Sequence, residues 1–200
     1  MVYLFTVQDS GIRQLENIKI YDPSNIWLYM TLIDIYSHNK NYKKVEQLCK
    51  EAIAIDGTVA NIYYELADAL LRRKQYDESL QYSDKAILLR PNLWHLYSVK
   101  TSALIFLGLL DKCIDTCSCI ISHAPEWYLK QSEFVYYNLA AAYARKGDAD
   151  VGNALKNIKK TIKIGDIKTI RSIRKDEDQD FYKLSNNPVF KRLLQGRPSS

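Results

Sequence analysis

The stretch ANIYYELADALLRRKQYDESLQYSDKAILLRP, residues 60–91, decides the fold. Tyr63, Leu66, Ala67 and Leu70 recur at i, i+3, i+4 and i+7, the spacing of one helical face. A polar turn, Arg72-Arg73-Lys74-Gln75, follows, and Leu80, Ala86 and Ile87 resume an apolar stripe before Pro91 stops it. The stretch therefore encodes two amphipathic helices joined by a short turn, and neither can bury its stripe alone.

The same pattern returns in both directions at an offset of 34 residues. Pro23, Gly57, Pro91 and Pro125 form one ladder, each a helix stop: proline by blocking continuation, glycine by tolerating the left-handed C-cap conformation. Tyr36, Leu70 and Leu104 form a second, Tyr42, Tyr76 and Leu110 a third, and Val45, Ser79 and Cys113 a fourth. Cys49, Ser83 and Cys117, then Ala52, Ala86 and Ile120, complete the set. Small and apolar residues in register are what stacked helix pairs need where their backbones approach.

These residues resemble the tetratricopeptide repeat family, whose pattern the unit at Ala60 meets with Tyr63, Leu66, Ala67, Leu70, Tyr76, Ser79, Ala86 and Pro91. The unit at Ile26 supplies Tyr29, Leu32, Ile33, Tyr36, Tyr42, Val45, Ala52 and Gly57. The unit at Trp94 keeps Tyr97, Leu104, Leu110 and Pro125 but places Lys100 and Thr101 where an apolar and a small residue belong, which predicts a looser first helix there. A fourth unit, near 133, carries Asn138 to Tyr143 and Ala154-Leu155 about five residues late, with the extra length expected in turns. Gly11, Leu15, Ile18 and Pro23 fit the second helix of an incomplete leading unit.

The resemblance implies an all-α, right-handed superhelical solenoid of antiparallel helix pairs over residues 1–165. Residues 166–200 read as a terminal capping segment and tail, in which Phe181, Leu184, Phe190 and Leu193 would hide the last apolar face behind the charged run Arg174 to Asp180. Seven glycines and five prolines in 200 residues agree with long helices rather than many short strands.

Formal net charge is +5, unevenly placed: residues 151–200 hold 12 Lys/Arg against 5 acids, and residues 1–150 carry 16 basic against 18 acidic groups. Any attraction for phosphate must rest on the C-terminal quarter, above all on Lys156, Lys159, Lys160 and Lys163 beside Leu155, Ile158 and Ile162. That stripe lacks the interleaved aromatics and arginines of single-strand binders, and no per-repeat base code is visible, so nucleic acid is not the expected partner. No window reaches the length of a membrane span, and the start MVYLFTVQDSG lacks the features of a signal peptide. Cys49, Cys113, Cys117 and Cys119 without such a signal point to a reducing, cytoplasmic setting.

Catalysis and cofactors are not expected. His38, His95 and His123 fall in different units, and no phosphate loop, nucleophile elbow or metalloprotease motif occurs. Cys113 and Cys117 lie on one helical face and Cys119 and His123 on another, so one helix cannot bring all four to a tetrahedral ion.

Within the family the first helix of each unit lines a concave groove, and unit positions 2, 5, 9 and 12 face it. The resemblance thus nominates Trp27, Met30, Asp34 and Ser37, then Asn61, Tyr64, Asp68 and Leu71, then His95, Ser98, Ser102 and Ile105, and finally Phe134, Tyr137 and Ala141. Aromatic and Met side chains anchor bound segments at low entropic cost, and Asp34 and Asp68 favour a basic or amide-donating ligand over an acidic tail. The expected role is a protein-interaction scaffold or adaptor holding a peptide or helix. The alternatives are RNA or anionic-surface binding through the lysine stripe, and a self-assembly or regulatory module pairing two chains through Val2, Leu4, Phe5 and Val7.

Overall fold

The computed structural model describes residues 2–165, 171, 173 and 180–195, with side chains from Ser10 onward, and every element among them is helical. Two compact units divide the chain, residues 1–100 and 101–200. The first holds α1 (Val2–Tyr21), α2 (Ile26–His38), α3 (Tyr42–Ile55), α4 (Ala60–Arg72) and α5 (Tyr76–Leu89). A 3-10 turn, Trp94–Leu96, then leads into α6 (Tyr97–Phe106), which runs across the division. The second unit continues with α7 (Leu110–His123), α8 (Glu126–Leu129), α9 (Glu133–Lys146) and α10 (Val151–Ile164), and ends with a 3-10 turn, Tyr182–Leu184, and α11 (Pro188–Leu194).

In the first unit each helix packs on the next, and α2 also meets α4. Leu32, Leu48, Ile62, Leu66 and Leu70 are fully buried, with Val45, Cys49 and Ala52 giving the backbones room to approach. Asn25 and Asn41 cap α2 and α3, their side chains accepting from Leu28 N and Lys44 N.

The turn inside each pair is the same three times. Asn41 N donates to Tyr36 O, Gln75 N to Leu70 O and Leu109 N to Leu104 O, each at 2.9 Å, closing the Schellman motif at the ends of α2, α4 and α6. The left-handed residue of that motif is Lys40 (φ 57°), Lys74 (φ 63°) and Gly108 (φ 72°), again 34 residues apart. The sequence had pointed instead to Gly57. There the chain has no left-handed backbone, and a Cβ on Gly57 would meet Tyr63 Oη at 3.4 Å and Ile53 O at 3.5 Å, close to ordinary contact. Glycine marks the wrong turn because two lysines occupy a conformation that it would fill without strain.

The Val45, Ser79 and Cys113 ladder lies where the two helices of a pair touch, and all three residues are fully buried. Ser79 Oγ donates to Ala67 O at 2.7 Å, and Cys113 Sγ to Thr101 O at 3.6 Å, the same bond one repeat later. The looser packing expected at Lys100 and Thr101 is absent. Lys100 reaches Asp84 at 2.7 Å, and Thr101, fully buried, accepts from Asn138 Nδ2 at 2.7 Å, so a hydrogen-bonded pair fills the place of an apolar one.

In the second unit α9 packs on α7 and α10, and Val135, Leu139, Ala140, Ala142, Ala154 and Ile158 are buried between them. Phe181, Leu184 and Phe190 are fully buried, as is Ile173, and Leu194 is buried where the sequence suggested Leu193, which is half-exposed. Asn187 caps α11 by accepting from Val189 N and Phe190 N, and Pro188 occupies the first turn, where its missing N–H costs nothing. Arg145 Nη2 stands 2.6 Å from the Asp180 carboxylate and ties α9 to this closing segment. Of the charged run from Arg174, only Asp180 lies within the described residues, and the side chains of Val2, Leu4, Phe5 and Val7 lie outside them.

Candidate functional site

In the first unit, α2 and α4 are in contact, and the 3-10 turn before α6 follows in the chain. A cavity of about 380 Å³ opens there, lined by Met30, Ile33 and Asp34 from α2, Asn61, Ile62, Tyr64 and Glu65 from α4, and His95. Five of these, Met30, Asp34, Asn61, Tyr64 and His95, are residues that the repeat spacing nominated. The volume suits one or two side chains of a bound segment.

Tyr64 forms the centre of the wall. Its ring meets His95 edge-to-face at 5.5 Å, and its hydroxyl lies 3.4 Å from Ser98 Oγ, which donates to His95 O at 2.8 Å. Ser98 thus positions Tyr64 from outside the cavity. Burial lowers the His95 pKa, so the imidazole is neutral at pH 7 and adds no positive charge.

Glu65 is the residue that the spacing argument missed. Burial lifts its carboxyl above the usual carboxylate range, the Asp68 and Asp34 carboxylates push it further, and a hydrogen bond with Ser37 only partly opposes them. Asn61, Glu65 and Asp68 stand at i, i+4 and i+7, so the signal was present on the same face of α4. A fixed choice of unit positions passed over it.

The other nominated residues of this unit lie around the cavity. Trp27 stands 78% exposed at the start of α2. Asp34 carries a 3.4 Å contact from His38 Nδ1, and Asp68 one from Arg72 Nε at 3.4 Å, both within their own helices and open to solvent. Such exposed pairs are weak and leave each carboxylate available to a ligand.

The second unit offers a different picture. Ser102 lies 3.5 Å from Asn138 Nδ2, Phe134 is half-buried, and Tyr137 packs edge-to-face on Phe181 at 5.6 Å. Ile105 and Ala141, expected on an open stripe, are buried. The closing segment and the buried Thr101–Asn138 pair bring core packing to positions that the repeat spacing leaves to solvent.

Cys113 and Cys117 are buried, whereas Cys119 faces solvent with its sulfur 3.7 Å from His123 Nδ1. The hydrogen bond with Cys113, and then burial, hold the Cys117 thiol far above its usual range. No group of three or more metal-ligating side chains converges among the described residues.

Residues 48–81 match the family model described as tetratricopeptide repeat. That segment is a tetratricopeptide repeat. The array resembles the crystal structure of MamA, with TM-score 0.68 and 22% identity over 78% of this chain and 88% of that one. It also resembles YrrB, described as a tetratricopeptide protein with an unusual peptide-binding site, with TM-score 0.66 and 19% identity over 87% of each chain. Yeast Tom70 aligns over 98% of this chain and 41% of its own, with TM-score 0.65 and 17% identity. At these identities the likeness establishes the tetratricopeptide fold. Comparison with the curated proteins returns no match. No helix among the described residues is long and apolar enough to cross a membrane.

Proposed function

We propose that this chain is a non-catalytic, cytoplasmic scaffold whose first unit holds a basic segment of a partner protein, with Tyr64 and Glu65 as the central contacts. One observation carries the reading: the cavity has two carboxylates in its lining and no lysine or arginine. Glu65 is already unfavourably buried beside Asp68 and Asp34, so a cation entering the cavity relieves repulsion as well as forming an ion pair. Tyr64 offers a ring face to a lysine or arginine stem, and Met30 and Ile62 take an adjacent apolar side chain. Trp27, at the exposed start of α2, widens the contact, and Asn61 supplies an amide to the ligand backbone.

The same charge pattern disfavours RNA at this place, because carboxylates repel phosphate. YrrB's described peptide-binding site gives a precedent for the fold.

Titration of the isotopically labelled protein with the hexapeptide acetyl-Lys-Lys-Leu-Phe-Lys-Lys-amide tests this. Amide shifts should move at Met30, Asn61, Tyr64 and His95 and should be lost in Tyr64→Ala with helicity intact. A peptide that leaves these four resonances still removes the basis of the assignment.

A further inference from the structure

The second unit contains a site of opposite character. A cavity of about 510 Å³ is bounded by Leu129 and Lys130 from α8 and its end, Tyr136 from α9, and Lys160, Lys163 and Ile164 from α10. Its floor is apolar and its rim is cationic. Lys160 Nζ lies 4.8 Å from the centre of the Tyr136 ring, which holds one ammonium at the edge of the floor. Helix α10 carries Lys156, Lys159, Lys160 and Lys163 with no acid along its length, and all four are exposed. Among the described residues that line the cavity the one carboxylate, Glu126, is turned to Lys130 at 2.8 Å, an exposed and therefore weak pair.

The origin of the cavity wall is the second independent observation. Helix α8 is the extra length that displaces the fourth unit from the 34-residue frame. The sequence reading placed that length in a turn without a role. Instead it forms a helical turn that contributes Leu129 and Lys130 to the cavity and leaves Trp127 63% exposed beside it, edge-to-face on Tyr128 at 6.0 Å. An insertion into a regular repeat that supplies an exposed indole and a cavity wall is the kind of loop on which binding sites are built.

We propose that this cavity binds an acidic segment of a partner protein, with one bulky apolar side chain on the Leu129, Tyr136 and Ile164 floor and flanking carboxylates on Lys130, Lys160 and Lys163. The apolar floor favours a side chain over a nucleic-acid backbone, which would need stacking surfaces along a groove. Its concave shape and the Glu126 carboxylate favour a peptide over a flat anionic bilayer. The site stands apart from the basic-segment cavity of the first unit, and either assignment survives failure of the other.

The experiment uses the full chain and three peptides: acetyl-Glu-Glu-Leu-Phe-Glu-Glu-amide, its Lys-for-Glu counterpart, and acetyl-Glu-Glu-Ala-Ala-Glu-Glu-amide. The first should shift the Trp127 indole and the amides of Leu129, Lys130 and Tyr136, and the second should not. The third should bind at least about tenfold more weakly, since its two alanines leave no bulky side chain to bury on the floor. Lys130→Gln/Lys160→Gln, both surface changes, should weaken the first peptide by about tenfold while circular dichroism stays unchanged. Equal shifts from the first and third peptides reduce the cavity to a charged surface and overturn the proposal. So does a set of pocket resonances that the acidic peptide leaves still. Binding of phosphatidylglycerol vesicles through the same lysines, without peptide binding, reassigns the patch to a membrane and also overturns it.

Discussion

Replacing Glu65 with Gln should change stability and partner capture in opposite directions. Gln is nearly the same size and can still bond Ser37, so the substitution removes charge and little else. Glu65 is half-buried with its pKa raised by burial first and by Asp68 and Asp34 next. A carboxyl whose folded pKa lies above its unfolded value disfavours the folded state once ionised, and the penalty vanishes below the unfolded pKa, near 4.5. Glu65→Gln should therefore stabilise the protein at pH 7 by up to about 1 kcal/mol, or a rise in Tm of about 2–4 °C. The gain should fade as pH falls to about 4, where the wild-type carboxyl is also protonated. Capture of a lysine-bearing peptide should weaken instead. A hydrogen bond to a charged group contributes about 1.5–3 kcal/mol, which corresponds to roughly 10- to 150-fold in Kd. Urea denaturation at pH 7 and 4, beside peptide titration monitored by anisotropy, measures both effects. Loss of stability at pH 7, or unchanged affinity with intact Tyr64 contacts, would refute the reasoning that Glu65 is held in strain for a cation.

Three further outcomes follow from packing and backbone. Lys74→Gly should raise stability by about 0.5–1 kcal/mol in thermal denaturation, because Lys74 occupies the left-handed turn position that Gly108 fills one repeat later. Thr101→Val should cost about 1–3 kcal/mol by leaving the buried Asn138 amide only its long 3.5 Å contact with Ser102, and Thr101→Val/Asn138→Leu should recover most of it, read as the coupling in a double-mutant cycle. Alkylation with iodoacetamide under native conditions should modify Cys119 and spare buried Cys49, Cys113 and Cys117, whereas urea should expose all four; mass spectrometry of the labelled chain decides it.

The folding class was legible because repetition turns a weak signal into a strong one. Tyr63, Leu66, Ala67 and Leu70 alone suggest a helix, and the same positions recurring at Tyr29, Leu32, Ile33 and Tyr36 fix the pairing of helices as well. The start of α11 is local chemistry of the same kind, since the Asn187 side chain accepts from Val189 N and Phe190 N. Gly57 misled because composition shows which residues tolerate a left-handed backbone, not which residues are forced into one; Lys40 and Lys74 are forced by the 6→1 hydrogen bonds of their turns.

The nominated surface was legible in part, and the division has a physical cause. Met30 and Asp34 share one face of α2 and Asn61 and Tyr64 one face of α4, each at predictable spacing, so the sequence could gather them together with His95. Glu65 acquires its raised pKa from burial first, then from Asp68 on its own helix and Asp34 on a neighbouring one, and burial and Asp34 are relations between elements that no spacing within α4 expresses. Tyr137 was nominated by the same rule as Tyr64, yet Phe181, more than forty residues away, packs on its ring. Likewise the sequence recorded that the fourth unit runs late, but not that the added residues fold into α8 and raise a wall opposite Lys160. Periodicity and local capping thus determined which segments are helices and which faces they bury, because those are properties of one segment. Tertiary structure alone decided which polar groups became buried and which exposed faces were covered, because both depend on what another segment brings to the same place.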